Sequence, residues 1–388
     1  MPISTLTYIG VLKNKKKVLV FIDWFYPAYK AGGPIKSIYH IAENLSKHIE
    51  FYVFCSNRDL DGEVQDVITD QWIEKEHFKV KFSSHPLSKK GYNSLFDEVK
   101  PQVLYFNNLF SLNYTIKPLW FYKKYRVKTI IAPRGMLGKG ALKLKASKKK
   151  LYLLFAKQFL FSSDFVWHAS TNLEESEIRD AIGEKSKIKV AQNLSSKPIK
   201  RNLEKMHKEE GELKLVFISR VSEKKNLLFI LDLFNKFTEQ TKLTLDIFGP
   251  IEDENYWRRA KAIIGLDKRI KYKGILKPTE INSTLINYHF FVLPTLHENF
   301  GHAIAESINM GVPVILSKNT PWRNLEESKV GFDIELNNNL KWVEKLKQAI
   351  AMDTDQYKTW VAECFEFANR NIVNNEALNA NKKLFTDE

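Results

Sequence analysis

Short, continuously apolar runs alternate with amphipathic segments along the first half of the chain. Such runs predict strands buried on both faces, because helices cover both sides of a parallel sheet. The segment 34–48, after the first run, has the apolar spacing of a helix. The predicted strands are KVLVFID (17–23), IEFYVFCS (49–56), VLYFNN (103–108), KTIIAPRG (128–135), FVWHAS (165–170) and KIKVAQN (187–193).

The same alternation restarts after a polar, charged segment, which we predict to be a linker over 196–212. Two series of this kind predict two doubly wound α/β domains that bind ligands in the cleft between them, beyond the carboxyl ends of the strands. We place the first domain at 1–195, the second at 213–370, and a helix at 371–388 that could cross back to the first domain. The strands of the second series are LKLVFISR (213–220), KLTLDIFG (242–249), RIKYKG (269–274), HFFVLPT (289–295) and VPVILS (312–317).

Composition narrows the kind of protein. The 388 residues are 44% hydrophobic, which supports sizeable cores rather than disorder. A formal charge of +15 indicates an anionic partner, which could be a nucleic acid, a membrane surface or a phosphorylated substrate. The two cysteines, Cys55 and Cys364, lack metal-ligand spacing. No apolar run has the ~18 residues of a spanning helix, and the N-terminal charges follow the short apolar stretch, so we expect a cytosolic protein.

The stretch TLHENFGHAIAESINMGVPVI places two carboxylates around a turn between a predicted strand and a predicted helix. Asn299, Phe300 and Gly301 then lie at a helix N-terminus, where backbone amides bind anions or sugar oxygens. Glu298 on the loop could accept hydrogen bonds from ligand hydroxyls. Glu306, about two turns further on, could accept those of a second polyol such as a ribose. Helix capping is the alternative role for these acids.

Cations and glycines also stand at the ends of predicted strands. Arg220 and Lys225 follow the first strand of the second domain, where they could neutralise a diphosphate and stabilise it as a leaving group. Lys224 could exchange roles with Lys225, and all three could instead be solvated surface charges. Gly32 and Gly33 follow the first strand of the chain, where they permit backbone conformations closed to other residues or simply form a tight turn.

Residues 99–163 contain 14 lysines and arginines and no acidic residue, which accounts for nearly the whole net charge. The segment is either a solvated basic face or a surface that docks on an anionic membrane, where each basic residue contributes ~1 kcal/mol. Its apolar residues, such as Leu151 and Phe155, could enter the interface or pack on the core. The lysines predicted to contact the acceptor or the membrane are Lys139, Lys143, Lys145, Lys148, Lys149 and Lys150.

Several segments together resemble glycosyltransferase family 4. ENFGHAIAE followed by GVPVI is similar to the E-x7-E motif of that family, and FISRVSEKKN is similar to its G-R-L-x-x-x-K-N segment, with Ser219 where glycine is usual. The resemblance covers most of the chain and implies a retaining, nucleotide-sugar-dependent enzyme of GT-B fold. Further similar segments are YKAGGPIKS (29–37), VWHASTNLEESEI (166–178), DIFGP (246–250), YKGIL (272–276) and YHFFVLPTLHENFG (288–301).

The resemblance also implies residue roles. Arg220 and Lys225 would contact the donor phosphates, and Glu298 would complete the catalytic set on this domain. The donor would be UDP- or GDP-linked, and no metal or other cofactor is expected, because the two cations would act as the electrophilic clamp. The implied donor-binding residues are Gly32, Gly33, Gly249, Ile275, Asn299, Phe300, Gly301 and Glu306.

The chain departs from the family at Arg134, where many relatives place a histidine close to the reacting sugar carbon. Arginine stays protonated and cannot act as a base. A retaining transfer does not require a base, because the leaving phosphate can accept the acceptor proton. Arg134 remains a catalytic candidate that could hold an acceptor phosphate or the donor diphosphate. His168 and His302 are alternatives as bases, although a lone histidine is more often structural.

We therefore predict a retaining glycosyltransferase, of hexosyltransferase type, that uses a nucleotide-sugar and a glycan or polyprenyl-linked acceptor. Its expected setting is surface polysaccharide or glycolipid assembly, such as lipopolysaccharide or capsule, at the cytosolic face of an anionic membrane. A nucleotide-sugar epimerase of the same fold is the alternative enzyme. A nucleic-acid-binding protein and a non-catalytic sugar-binding relative are the alternatives of other classes, although the chain carries no nucleic-acid recognition motif.

Overall fold

The computed structural model describes residues 15–138, 142, 146–372 and 374–386, without the side chains of Ala146 and Lys205. Two separate sheets, each covered by helices, form the centres of two α/β domains. The predicted fold class is therefore confirmed. None of the helices described is both long and apolar enough to cross a membrane.

The first domain contains an eight-stranded sheet. Its strands are β1 (Lys16–Phe21), β2 (Ile49–Ser56), β3 (Trp72–Glu74), β4 (Lys79–Ser83), β5 (Val103–Phe106), β6 (Lys128–Ile131), β7 (Val166–Ala169) and β8 (Lys187–Val190). They lie in the order β3–β4–β2–β1–β5–β6–β7–β8, and all neighbours are parallel except β3 and β4. The central strands are buried on both faces, as their apolar runs predict.

Helices cover both faces of this sheet. The helices are α1 (Gly33–Leu45), α2 (Lys89–Val99), α3 (Lys117–Tyr122), α4 (Ala146–Phe155) and α5 (Asn172–Ile182). In α1, Pro34 occupies the first turn, where its missing amide hydrogen costs nothing. Ile35, Ile38 and Leu45 recur at helical spacing on its buried face and pack on the sheet, which places the start of α1 at the carboxyl end of β1.

The second domain contains a six-stranded, wholly parallel sheet in the order β11–β10–β9–β12–β13–β14. These strands are β9 (Glu212–Ile218), β10 (Lys242–Phe248), β11 (Ile270–Tyr272), β12 (Phe290–Leu293), β13 (Val314–Ser317) and β14 (Gly331–Ile334). The helices around them are α6 (Leu227–Phe234), α7 (Glu254–Ile264), α8 (Ile281–Leu285), α9 (His302–Asn309), α10 (Asn339–Ala351) and α11 (Thr354–Asn371).

The chain passes between the domains twice. In the first passage, Ile199 N donates to Asn309 O (3.1 Å), so the predicted linker lies on the second domain rather than in solvent. After α11, a last helix, α12 (Asn375–Phe385), buries Leu384 and Phe385 in the core of the first domain. Asn381 Nδ2 also donates to Gln192 O (2.7 Å) at the end of the first-domain sheet.

Candidate active site

The carboxyl ends of strands from both sheets face a cavity of about 470 Å³ between the domains. Loops after β1 and β6 form one wall, and loops after β9, β10 and β12 form the other. Ligands of open parallel sheets bind in this position. The predicted site residues that line the cavity are Gly32, Gly33, Arg134, Arg220, Lys225, Gly249, Ile275, Glu298, Asn299, Phe300 and Gly301.

The loop between β12 and α9 brings the helix N-terminus to the cavity. Glu298 N donates to Asn319 O (2.9 Å), which fixes the middle of the loop. Gly301 has a φ of +80°, and a Cβ there would lie 2.6 Å from Ile304. Glycine is therefore needed where α9 begins, and residues 299–303 border the cavity with the first amides of that helix.

Lys225 and Glu298 form an ion pair on the second-domain wall. Lys225 Nζ donates to Glu298 Oε2, and the side chains are only 10% and 14% exposed. Burial by itself would raise the pKa of this carboxyl group. The neighbouring cations, first Lys225 and then Lys224 and Arg220, outweigh burial and hold the pKa of Glu298 below its usual range. Glu298 is therefore ionised within an excess of positive charge.

Arg220 and Lys224 supply that excess. Arg220 Nη1 donates to Glu252 Oε1 (2.5 Å) at the more exposed rim. Lys224 lines the cavity, and its ammonium has no hydrogen-bond or ion-pair partner in the part of the chain that the structure describes. Burial, and then repulsion from Lys225, lowers the pKa of Lys224. An anion entering the cavity would supply the missing partner.

Gly249 and Ile275 border the cavity beyond β10 and β11. Gly249 has a φ of +140°, and a Cβ there would lie 1.9 Å from Ser219 O, so only glycine lets the ends of β9 and β10 approach so closely. Ile275 is 41% exposed and, with Leu276 and Ile281, makes this end of the cavity apolar. An apolar face of this kind suits the flat ring of a nucleobase.

Glu306, the second glutamate of the motif, is paired across the cleft. Lys36 Nζ on α1 donates to both carboxylate oxygens (2.5 and 2.7 Å), and the two side chains are 14% and 12% exposed. The carboxylate is therefore in contact with the first domain in this structure. A ligand hydroxyl that binds Glu306 has to share it with Lys36 or replace Lys36.

The glycine loop after β1 packs directly on the second domain. Gly32 has a φ of +70°, and the ideal Cβ of Gly33 would lie 3.5 Å from His302 Cδ2. The Ser37 hydroxyl donates to Gly33 O (3.0 Å), so it accepts from His302 Nε2 (3.0 Å). Burial, with smaller contributions from nearby His40, lowers the pKa of His302 well below its ordinary value. His302 is therefore a neutral link between the domains.

Arg134 belongs to a network on the first-domain wall. Its φ is +56°, in the left-handed region. The guanidinium donates from Nε to Asn107 Oδ1 (2.7 Å), from Nη1 to Asn193 Oδ1 (2.6 Å) and from Nη2 to the Tyr105 hydroxyl (2.7 Å). All three acceptors are buried and neutral. Two of the five donor hydrogens of Arg134 remain for a ligand in the cavity.

The hydrogen bonds of His168 define its tautomer. Its Nε2 donates to Ala191 O (2.8 Å), so Nδ1 accepts from the Tyr105 hydroxyl (2.7 Å), which accepts from Arg134 in turn. Burial, assisted by the charge of Arg134, lowers the pKa of His168 to about 3. Both nitrogens are occupied, so His168 supports the network rather than receiving a proton.

Glu174 joins the two walls. Gly135 N donates to its Oε1 (2.6 Å), and Ser170 N (2.8 Å) and Asn299 Nδ2 (3.1 Å) donate to its Oε2. The side chain is buried, and Asn299 reaches it from the second domain. Phe300 contributes differently, because it borders the cavity but is almost wholly buried in the second-domain core.

Five residues of this arrangement were not recognised in the sequence, namely Lys36, Tyr105, Asn107, Glu174 and Asn193. Asn107 and Asn193 do carry a usable signal, since each follows shortly after a strand, at the edge where ligands bind. Among the residues described, no cluster of three or more His, Cys, Asp or Glu side chains could hold a metal ion.

The predicted membrane lysines fall in two groups. Lys139, Lys143 and Lys145 lie outside the described residues. Lys148 and Lys150 are exposed on α4. Lys149 is half-buried, with its ammonium 5.2 Å from the centre of the Phe110 ring.

Comparison with known proteins identifies the second domain. A family model described as glycosyl transferases group 1 matches residues 198–363. A search of the curated proteins gives no match. The predicted enzyme class, a glycosyltransferase, is confirmed by this domain.

Solved structures resemble the whole chain. HepE of Anabaena, in complex with UDP and glucose, aligns with a TM-score of 0.65 at 15% identity, over 95% of this chain and 98% of HepE. Sucrose-phosphate synthase of Thermosynechococcus elongatus aligns with a TM-score of 0.72 at 14% identity, over 96% and 98%. WaaG, a glycosyltransferase involved in lipopolysaccharide biosynthesis, aligns with a TM-score of 0.65 at 11% identity, over 95% and 99%. These likenesses confirm the GT-B fold.

Proposed function

We propose that the protein is a retaining glycosyltransferase, of the family 4 type, that takes a hexose from a UDP- or GDP-linked donor. The observation that carries the proposal is the group of three cations around Glu298 on the second-domain wall. Lys225 is already paired with that glutamate, and Lys224 has no partner among the described residues. The site therefore combines a carboxylate for sugar hydroxyls with unused positive charge for a diphosphate.

The diphosphate would lie between Arg220 and the two lysines. A leaving diphosphate gains negative charge on its bridging oxygen as the bond to the sugar breaks. Cations at this position would stabilise that charge more than they stabilise the intact donor, which is the requirement for catalysis. These side chains, together with the first amides of α9, fulfil the role of an electrophilic clamp, and we propose no metal for this step.

The nucleoside would extend towards the apolar end of the cavity. Ile275 would offer an apolar face to the base. Glu306 would accept hydrogen bonds from the ribose hydroxyls, which would replace Lys36 as its partner. In this arrangement Glu298 contacts the transferred sugar. HepE has been solved with UDP and glucose, and this likeness in fold makes a uridine nucleotide the first donor to test.

The transfer itself needs no protein base. The acceptor oxygen forms a bond to the anomeric carbon on the face from which the phosphate oxygen departs, so the configuration is retained. The acceptor proton passes to that phosphate oxygen. Arg134 cannot accept a proton. Both ring nitrogens of His168 are hydrogen-bonded, and Nε2 of His302 is bonded to Ser37. A route without a protein base therefore fits these groups.

The acceptor would bind the first-domain wall, beside Arg134. We propose a glycan or polyprenyl-linked acceptor in the assembly of a surface polysaccharide or glycolipid, such as lipopolysaccharide or capsule, at the cytosolic face of the membrane. Support comes from residues 99–163, which belong to this domain and contain no acidic residue. The fold likeness to WaaG, which acts in lipopolysaccharide biosynthesis, points in the same direction.

A panel of nucleotide-sugars tests the proposal. The true donor should raise the unfolding temperature by mass action, and nucleoside diphosphate should be released only when acceptor is added. The product should keep the anomeric configuration of the donor, as read by NMR. Conversion of the donor to an epimer without acceptor would instead identify an epimerase, and an inverted product would reject the retaining mechanism.

A further inference from the structure

Five large apolar side chains form an exposed surface on the first domain, here called the apolar ridge. They belong to α3, to α4 and to the π-helical turn Ala156–Leu160 that continues α4. The Trp120 and Phe155 rings stack at 6.5 Å, and the Phe155 and Phe159 rings are 5.1 Å apart. Each side chain is between 45% and 70% exposed. The members are Trp120, Leu151, Leu154, Phe155 and Phe159.

The ridge is separate from the face by which α4 packs on its domain. Leu153, Ala156 and Leu160 are buried in the core, and the Tyr152 hydroxyl donates to Leu109 O (3.0 Å). The helix is thus apolar on a second side that no described residue covers. Contiguous apolar surface of this kind marks an interaction site rather than ordinary surface.

Positive charge surrounds the ridge. Lys148, Lys150 and Lys157 are exposed on α4 and on the π-helical turn, and Lys123 and Lys124 are exposed on the turn that follows α3. The acidic residues on either side of the acid-free segment 99–163 are already paired. Glu98 accepts from Lys81 (2.9 Å), and Asp164 accepts from Lys187 (3.2 Å). Apolar side chains within a rim of lysines are the arrangement by which helices bind at the interface of anionic bilayers.

We propose that the apolar ridge inserts into the headgroup region of a bilayer rich in anionic phospholipids. A second copy of the chain is a poorer occupant, because a twofold contact through the ridge would bring two rims of lysines together without a carboxylate between them. The proposal extends the lipid-linked acceptor suggested above but does not depend on the sugar transfer itself.

The ridge lies close to the acceptor wall. Leu109 and Phe110 belong to the loop that follows β5. The Tyr152 hydroxyl donates to Leu109 O, and the Lys149 ammonium lies over the Phe110 ring. The same loop contains Asn107, which holds Arg134 at the cavity. Docking by the ridge would therefore bring the first-domain side of the cleft to the bilayer surface, where a lipid-linked acceptor is available.

Vesicle co-sedimentation tests the proposal. The protein should bind vesicles that contain both phosphatidylcholine and phosphatidylglycerol, and it should not bind vesicles made only of phosphatidylcholine. Salt should weaken the binding. Leu151→Ser with Leu154→Ser should reduce binding by about tenfold or more. Leu266→Ser with Leu340→Ser is the matched control, since both leucines are over 80% exposed on the second domain and should not matter.

The charge contribution has its own control. Lys148→Gln, Lys150→Gln and Lys157→Gln together should weaken binding to anionic vesicles on the order of 100-fold at low salt. The same three changes at Lys268, Lys271 and Lys347, exposed on the second domain, should have little effect. Equal losses in both sets would show that net charge alone drives binding and would overturn the assignment to the ridge.

Depth of insertion separates the ridge from a purely electrostatic contact. Lipids brominated in the upper acyl chain should quench the fluorescence of the wild type more than that of Trp120→Phe. Identical quenching, or a dimer in the absence of lipid that Leu151→Ser with Leu154→Ser dissociates, would reject the proposal. Stabilisation by the nucleotide-sugar should be unchanged in all ridge variants, so failure here leaves the proposed transferase intact.

Discussion

The two walls of the cleft hold their charges in opposite ways. On the second-domain wall, Lys225 and Glu298 neutralise each other, and Lys224 has no partner among the described residues. On the first-domain wall, Arg134 is held by three neutral, buried acceptors. The first arrangement can exchange an internal partner for a ligand, whereas the second is rigid before any ligand arrives. The second-domain wall can thus change its ion pairs when a ligand binds, whereas the first-domain wall holds Arg134 in one position.

Removal of Lys225 should have the largest effect. Lys225→Ala takes a cation from the leaving diphosphate and leaves Glu298 unpaired, so turnover at saturating donor should fall on the order of 10²–10³-fold. The exposed Lys347 of the same domain offers a matched control, and Lys347→Ala should retain full turnover. A greater loss in Lys224→Ala than in Lys225→Ala would mean that the two lysines have exchanged roles.

Substitution of Arg134 should lower the stability of the protein and leave its affinity for the nucleotide unchanged. Arg134→Lys cannot keep Asn107, Asn193 and Tyr105 bonded together, so the free energy of unfolding should fall by about 2–3 kcal/mol. Affinity for the nucleoside diphosphate, measured by calorimetry, should stay the same because the donor cations lie on the other wall. Weaker nucleotide binding at unchanged stability would erase the contrast between the walls.

Substitution of Glu306 should lower the affinity of the protein for the nucleotide part of the donor. Glu306→Ala should weaken the nucleoside diphosphate by ~1–3 kcal/mol, the cost of a lost charged hydrogen bond. Glu298→Ala should weaken the sugar nucleotide more than the bare diphosphate. Glu326, which also pairs with a lysine but with one of its own domain rather than across the cleft, provides the control. Equal diphosphate affinity in Glu306→Ala and wild type would contradict the assignment to the ribose.

The smallest expected effect is a pH dependence of diphosphate binding at Lys224, on the second-domain wall. The pKa of Lys224 is lowered by burial, by Lys225 and by Arg220, and is raised in turn by Glu298 and Glu252. As pH rises through this lowered pKa, Lys224 loses its charge, so diphosphate affinity should fall by about tenfold.

Lys224→Arg separates this group from the others that titrate in the alkaline range. Arginine keeps its charge, so the variant should hold its diphosphate affinity across the same range. Isothermal calorimetry between neutral and alkaline pH gives the comparison. An identical fall in both proteins would assign the pH dependence to another group.

The charged residues of the second-domain wall could be predicted because they belong to two short segments, each of which follows a strand. Arg220 and Lys225 lie between β9 and α6, and Glu298 and Glu306 lie in the loop after β12 and in the helix behind it. The network on the first-domain wall could not be predicted in this way. Tyr105, Asn193 and Glu174 come from three separate segments, and only tertiary packing brings them to Arg134 or its neighbour.

The fold shows the same limit. Long apolar runs were recognised as strands, although several end two or more residues earlier than the apolar run suggests. Three strands were missed. β4 alternates lysines with buried residues and β3 is three residues long, so neither has the continuous apolar pattern. β14 is short and starts at Gly331, whose ideal Cβ would lie 2.2 Å from Val314 O.

The return of α12 to the first domain makes that domain discontinuous in the gene. Its core includes Ala377, Leu384 and Phe385, which are encoded after the whole of the second domain. Recombination that exchanges one donor domain for another would therefore need two junctions, one before β9 and one between α11 and α12. A chimera with a single crossover would join a foreign last helix to the native first domain, and such a helix would have to fit a core with which it had not evolved.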